Sequence, residues 1–339
     1  MYSLIQFLPP KLAHDIAPLV LHTLGSLRSA KEKDFNLFQL HWKGMHFRNR
    51  LGIAGGVDKN ASNILDWAKF GAGFIEVGTV TPQAQSANPG RIIDRDWKSK
   101  NLWNKMGFPN LGQEKILTRV QKAKSDPLLS HTPLFINLGK NRSTSLENAH
   151  LDYQTVASTF NDVADAFVIN ISSPNTMGLR DLQHSVSLKK IIDSCQEKTK
   201  KPLLVKCSPD MEQGELLSVI DTCTENGVAG FILTNTTLSR PPGNSFSSEG
   251  GLSGKDLADL SKKNLTTVVK HLGPDKSKFL LVSVGGILTT ADVAERFILG
   301  ADLIQCYSAF VFHGLLFYSN VLKELKNHKL LKPEEEVKT

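Results

Sequence analysis

A (β/α)8 barrel, an α/β fold of the TIM-barrel type, with a small helical extension at its N-terminus is the architecture the sequence predicts, on three observations. Eight short apolar runs recur between residues 51 and 306, and each is followed by a segment of helical period. A polar residue or glycine stands just past every run, as expected where parallel strands end at one mouth. The chain has 339 residues and a mass of 37.3 kDa, so about 280 residues carry the eight repeats, which suits a closed barrel better than an open doubly wound sheet. Hydrophobic residues make up 40%, charged residues 22%, and the mean hydropathy is −0.17, which excludes a disordered, collagenous or polytopic membrane chain.

Taken in order, residues 11 to 30 read as an amphipathic helix, because Leu12, Ile16, Leu19, Val20, Leu24 and Leu27 fall at spacings of three and four. An apolar patch, Leu4-Ile5-Gln6-Phe7-Leu8, precedes it before the Pro9-Pro10 break, and a polar basic connector, Ser29 to Asp34, comes after it. Two readings stand for this region: helices packed on the core, or a surface for a membrane or hydrophobic ligand. The division expected is therefore a helical segment over residues 1–40 and a barrel domain over residues 41–339. The eight runs are Leu51 to Val57, Gly73 to Val77, Leu134 to Ile136, Ala166 to Ile169, Leu203 to Val205, Gly230 to Leu233, Phe279 to Val284 and Leu303 to Cys306. Leu303 to Leu322 contains no Asp, Glu, Lys or Arg over 20 residues, but Gln305, Ser308, His313 and Asn320 make it strand, loop and helix, not a membrane span.

The residues just past the runs point to a ligand. Asp58-Lys59, Gly78-Thr79, Asn137, Asn170, Lys206 and Thr234-Asn235 stand past the first six, and five of these positions (Lys59, Asn137, Asn170, Lys206, Asn235) bring amines or amides to one mouth. That set suits a polar, anionic, planar molecule. Gly285-Gly286 after run seven, Tyr307-Ser308 after run eight and the glycine-rich stretch Gly250 to Gly254 lie where barrels bind phosphate. Pro174 holds Ser173 out of the helical region, presenting it on an extended turn just past a strand end. No GxSxG elbow, no GxGxxG after a strand and no GxxxxGK[ST] occurs, which disfavours a serine hydrolase, a Rossmann site and a P-loop. Cys195, Cys207, Cys223 and Cys306 form no paired motif, so neither a metal site nor a disulfide framework is expected. The net charge of +7 suits an anionic partner without choosing one, and residues 1 to 10 lack the basic start of a secretory signal.

Seven ordered motifs now resemble one family. Ala54-Gly55-Gly56-Val57-Asp58-Lys59, Gly78-Thr79-Val80-Thr81-Pro82, Asn104-Lys105-Met106-Gly107-Phe108, Asn137-Leu138-Gly139-Lys140-Asn141, Asn170 to Thr176 with Gly178-Leu179-Arg180, Thr234-Asn235-Thr236-Thr237 and Gly251-Leu252-Ser253-Gly254 resemble the dihydroorotate dehydrogenases, over essentially residues 1 to 325. Serine at 173, where class 1 enzymes carry cysteine, and the N-terminal helices resemble the quinone-dependent, membrane-associated class 2.

The resemblance implies oxidation of dihydroorotate to orotate in pyrimidine synthesis, with one FMN per chain as hydride acceptor and a membrane quinone, ubiquinone or menaquinone, as final acceptor. It implies Ser173 as the base at C5, with Thr176 and Phe108 along the proton route. Lys59, Asn104, Lys105, Met106, Gly107, Phe108, Asn170, Asn175, Asn235 and Thr236 match groups around the orotate. Gly55, Gly56, Val57, Asp58, Lys59, Thr79, Asn137, Asn170, Lys206 and Thr234 match contacts to FMN, with Gly254, Gly286, Tyr307 and Ser308 on its phosphate side. His14, Arg91 and Tyr307 match groups around the quinone head. It further implies a peripheral attachment to a membrane through the N-terminal helices, and no iron–sulfur partner subunit; the lack of a transit-peptide pattern and of a spanning helix favours the cytoplasmic face of a bacterial inner membrane over a mitochondrial precursor, with a processed mitochondrial form as the alternative.

Four positions depart from the family pattern: Gly55 for alanine, Met177 for proline or a small residue, Cys207-Ser208 for an apolar-alanine pair, and Ala309 for glycine or another small residue. Met177 bears on closure of the loop over the substrate. The competing enzyme reading keeps an FMN barrel with another pyrimidine substrate or a soluble acceptor, fumarate or NAD. A nucleic-acid-binding role is disfavoured, because the basic residues are scattered without interleaved aromatics.

Overall fold

The computed structural model describes residues 7–28, 35–328 and 336–338, and all eight runs form strands. They are β1 (Leu51–Asp58), β2 (Phe74–Val80), β3 (Leu134–Leu138), β4 (Ala166–Asn170), β5 (Leu203–Lys206), β6 (Gly230–Leu233), β7 (Leu280–Val284) and β8 (Leu303–Cys306). All neighbours run parallel and the sheet closes in the order β6-β7-β8-β1-β2-β3-β4-β5, with β5 returning to β6. Before the barrel stands α1 (Pro10–Ser26); around it run α2 (Ile64–Lys69), α3 (Gln113–Lys124), α4 (Ala149–Phe160), α5 (Ser185–Gln196), α6 (Gln213–Glu225), α7 (Ala258–Leu272), α8 (Thr290–Ile298), α9 (Ser308–His313) and α10 (Phe317–His328). The uncharged stretch from Leu303 to Leu322 is thus β8, α9 and the start of α10, and no helix among the described residues is long and apolar enough to cross a membrane.

The two-residue period of each strand sorts its side chains into two cores. Ile75, Val77, Ile136, Phe167, Ile169, Val205 and Ile304 face out and pack with the helices in one buried cluster. Phe74, Phe135, Ala166, Val168, Leu204, Ile232, Val282 and Leu303 face in and form a second. Two residues further along, the same inward faces carry Glu76, Asn137, Asn170, Lys206 and Gln305, all buried. A polar layer therefore lies directly on the apolar one, at the carboxyl ends of the strands.

The opposite end is closed by a hairpin of Leu40–Trp42 and Met45–Phe47, whose Leu40, Trp42 and Phe47 belong to the inner cluster. Phe47 meets Phe74 and Phe135 edge-on, with ring centroids 5.9 and 6.1 Å apart. Over the polar mouth, Ile93–Asp96, Asn101–Asn104 and Gly251–Gly254 form an antiparallel sheet.

The N-terminal helix differs from the simple core helix. It packs on α2 and on Ile93–Asp96, but through Ala13, Leu21 and Gly25. Gly25 is required there, since a Cβ would lie 2.2 Å from Asp66 Oδ1. Leu12, Leu19 and Leu27 of the apolar stripe stay exposed, because the small residues beside the stripe allow the closer approach to the barrel. Phe7 is exposed as well, whereas Leu4 and Ile5 lie outside the described residues.

Candidate active site

Two cavities open at the polar end of the barrel. The first is walled by Gly55, Gly56, Thr79, Lys206, Thr234 and Gly286 toward the barrel, and by Asn104, Met106, Gly107 and Phe108 on the covering side. Asn170, Ser173, Asn175, Asn235, Thr236, Tyr307 and Ser308 complete that wall. The second lies between α1 and the barrel and is lined by His14, Ala17, Leu21, Val57, Asp58, Arg95, Tyr307 and Phe310 among others. Lys59 and Tyr307 line both.

Lys59 is aimed by the turn just past β1. Asp58 is buried and accepts from the backbone N–H groups of Ser62 and Asn63, both at 2.8 Å, which ties that turn. Burial raises the Asp58 carboxyl above its ordinary range, against those two bonds. Burial likewise holds the Lys59 ammonium down to about 8. Lys59 Nζ lies 3.0 Å from His14 Nε2, and His14 Nδ1 lies 3.2 Å from Asp15 Oδ1. Burial, aided by the Lys59 charge, pushes the imidazole to about 4, so at neutral pH the lysine donates to a neutral His14.

Amides line the mouth in a connected set. Asn170 Nδ2 donates to Thr79 Oγ1 at 2.9 Å and to Asn137 Oδ1 at 3.2 Å, and Asn235 Nδ2 donates to Ser172 Oγ at 3.0 Å. Asn175 Nδ2 donates to Asn104 Oδ1 at 2.7 Å, leaving Asn175 Oδ1 buried without a partner. Ser173 is buried and its Oγ accepts from the Asn175 N–H at 3.3 Å. Arg180 holds this loop, donating to Ser172 O at 3.0 Å, Thr236 O at 3.2 Å and Asp210 Oδ2 at 2.8 Å. Phe108 sits at φ +57°, a left-handed conformation that costs a phenylalanine roughly 1–2 kcal/mol and turns its ring toward Gly139.

The glycines at the far side make a cradle that a side chain would fill. Gly286 has φ +71°, and a Cβ there would sit 2.4 Å from Ala258 Cα at the start of α7; at Gly254, φ +95°, it would sit 2.2 Å from Lys100 O. Backbone N–H groups close to a helix N-terminus, with no side chain between, suit a phosphate.

The protein-family model described as dihydroorotate dehydrogenase matches residues 38–329. The chain belongs to the dihydroorotate dehydrogenase family. Among proteins similar to it, the dihydroorotate dehydrogenase (quinone) of Mycolicibacterium smegmatis is 39% identical over 282 residues, covering 82% of this chain and 77% of that one. That of Actinobacillus pleuropneumoniae serotype 7 is 35% identical over 342 residues, covering 96% and 99%. The crystal structure of DHODH in complex with ferulenol from Eimeria tenella superposes with a TM-score of 0.86 at 33% identity, covering 94% of this chain and 91% of that one.

Most positions that the dihydroorotate dehydrogenase resemblance marks meet at these two cavities, and several stand back from them. Asn137 lies one layer behind the first cavity, Thr176 is buried outside its wall, and Gly254 neighbours the lining Ser253. Lys105 ion-pairs with Glu249 on the covering side. Val57 and Asp58 line the second cavity instead of the first. Arg91 ion-pairs with Asp94; Asp94 lines the second cavity and Arg91 does not. Glu76, Gln305 and Arg95 are not among the residues that the sequence motifs mark. The signal for the first two was present: Glu76 between Ile75 and Val77, and Gln305 between Ile304 and Cys306, are polar side chains inside apolar strands.

Proposed function

We propose that this enzyme oxidises dihydroorotate to orotate for pyrimidine synthesis, using FMN bound in the first cavity and a quinone bound in the second. The observation that carries the reading is the shared wall: Lys59, Ile93, Leu102 and Tyr307 border both cavities, so a flavin in the first would be divided from the second only by the side chains of that wall. FMN supplies what the side chains lack, acceptance of a hydride from C6 and delivery of two electrons to a quinone.

The donor set fits FMN. The Gly254 and Gly286 cradle with Tyr307 and Ser308 would hold its phosphate, and Gly55, Gly56, Thr79, Asn170, Lys206 and Thr234 its ring system, with Asn137 behind them holding the Asn170 amide. On the covering side, Asn104, Asn175, Asn235 and Thr236 would pair with the dihydroorotate imide, and the Lys59 ammonium with its carboxylate. Lys105, Met106 and Gly107 close that side and, with Phe108, exclude water.

Ser173 takes the C5 proton in this reading. A serine hydroxyl is a weak base in water, so it needs a dry site and an onward proton route. Ser173 is buried, no His or carboxylate among the described residues hydrogen-bonds its Oγ, and Thr176 of the same loop with Phe108 of the same cavity wall would form the route outward. Met177 at the loop's tip is 95% exposed, so it leaves the packing beneath the loop untouched.

Residues 1–40 would form the quinone segment and residues 41–339 the catalytic barrel. The exposed Leu12 and Leu19 on α1 and Leu27 just past its end, with Phe7, suit insertion into a lipid interface, and the basic excess suits anionic headgroups. His14 and Tyr307 lie at the second cavity to meet the quinone head, with Arg91 near its rim through Asp94. On this reading the enzyme would sit peripherally, on the cytoplasmic face of a bacterial inner membrane.

Ser173→Ala tests the base assignment. The variant is expected to bind FMN and orotate normally, while reduction of the flavin by dihydroorotate slows by roughly 10²–10⁴-fold. A rate close to that of the parent would remove Ser173 from the proton step.

A further inference from the structure

Two side chains of the polar layer inside the barrel, Glu76 and Gln305, take no part in the reading above. Glu76 is fully buried on β2 and stands just behind the first cavity, outside its wall. Its Oε1 accepts from Lys206 Nζ at 3.2 Å and from Asn137 Nδ2, and its Oε2 accepts from Gln305 Nε2 at 2.6 Å. The three donors come from β5, β3 and β8, so one carboxylate joins four strands across the barrel. Lys206 and Gln305 both line the cavity, and Gln305 Oε1 is buried without a partner.

Gly55, one of the departures from the family pattern, belongs to the same cluster. A Cβ at this cavity-lining position would lie 2.2 Å from Glu76 Oε1 and 3.0 Å from Asn137 Nδ2. The missing methyl leaves the carboxylate room to reach the lysine.

A buried ammonium paired with a buried carboxylate presents to its surroundings a dipole, not a full charge. Lys206 lines the proposed ring site, so the share of its charge not offset by Glu76 is what a reduced, more negative ring would feel. We propose that Glu76 is a positioning residue that fixes Lys206 against the barrel floor and sets the redox potential of the flavin by offsetting part of that lysine's charge. The proposal rests on the FMN reading above.

Glu76→Gln keeps shape and removes charge. The new amide oxygen still accepts from Lys206 and Asn137, and rotation of the Gln305 amide lets its free Oε1 accept from the new NH2. FMN titration of the parent protein comes first: no binding would overturn the FMN reading itself. With FMN bound, equilibrium reduction against reference dyes should give a more positive two-electron potential in Glu76→Gln than in the parent. Glu76→Asp, which restores the charge, should return it toward the parent value. Gly55→Ala, which displaces the carboxylate without removing it, should shift it in the same direction as Glu76→Gln and by less. Equal potentials in the parent and Glu76→Gln proteins, or equal shifts in Glu76→Gln and Glu76→Asp, would overturn the proposal. Should Glu76→Gln fail to hold FMN, the Gly55→Ala potential decides in the same way.

Discussion

Lys59 has to serve two cavities at once, and its environment shows how. Its ammonium, held down to about 8 by burial, is still charged at neutral pH and donates to His14 on one side while bordering the first cavity on the other. If it pairs with the ligand carboxylate, orotate affinity measured by titration is constant below about pH 8 and weakens above it, as the free enzyme loses the cation. Lys59→Met should bind weakly and lose this dependence; a pH profile that survives the substitution would assign it to another group. At this scale the sequence was legible where a polar residue stood at the end of a strand, as at Asn170 and Lys206. It was less legible where a polar residue sat within one, because Glu76 and Gln305 become conspicuous only once the strand period turns them inward. Nor could spacing alone show that Arg91 pairs with Asp94 while Arg95 takes a place in the cavity wall.

Helix α1 is the element on which the two proposed substrate sites would diverge. Its buried contacts are few, Ala13, Leu21 and Gly25, with His14 reaching Lys59, so it can be removed without opening the barrel's inner core. Deleting residues 1–35 is expected to leave reduction of bound FMN by dihydroorotate intact and to abolish reoxidation by quinone in stopped-flow traces. Unchanged quinone kinetics would refute the second cavity as the quinone site. The helix also carries a pH signature. The His14 value of about 4 lies below the 6.5 of the unfolded chain, so the unfolded state binds more protons between them and stability falls as pH drops from about 6.5 to 4. The loss is on the order of 2 kcal/mol after allowance for partial exposure, and His14→Gln should flatten it in thermal melts. The helix itself was legible from its apolar spacing; which face it would bury was not, because Ala13 and Gly25 win by allowing close approach and hydrophobicity alone ranks them last.

For the molecule as a whole, alternation of apolar strand and amphipathic helix was enough to specify the barrel, since eight parallel strands with helices outside leave one economical way to bury both faces. The less legible parts were the antiparallel sheet over the mouth and the hairpin under the floor, whose strands of three or four residues are too short for a period to declare itself. The floor is nevertheless structural: Phe74→Ala should cost about 3–5 kcal/mol in denaturant unfolding, by leaving a cavity between Phe47 and Phe135, while orotate affinity stays the same. Coupling of dihydroorotate to a quinone through FMN in one barrel is the central claim. It is tested most directly by adding dihydroorotate to the FMN-loaded protein without oxygen, then offering quinone, fumarate and NAD separately. Bleaching of the flavin spectrum by dihydroorotate and its recovery on quinone alone is the predicted result. A flavin that stays oxidised with dihydroorotate, or that recovers on fumarate or NAD and not on quinone, would contradict it.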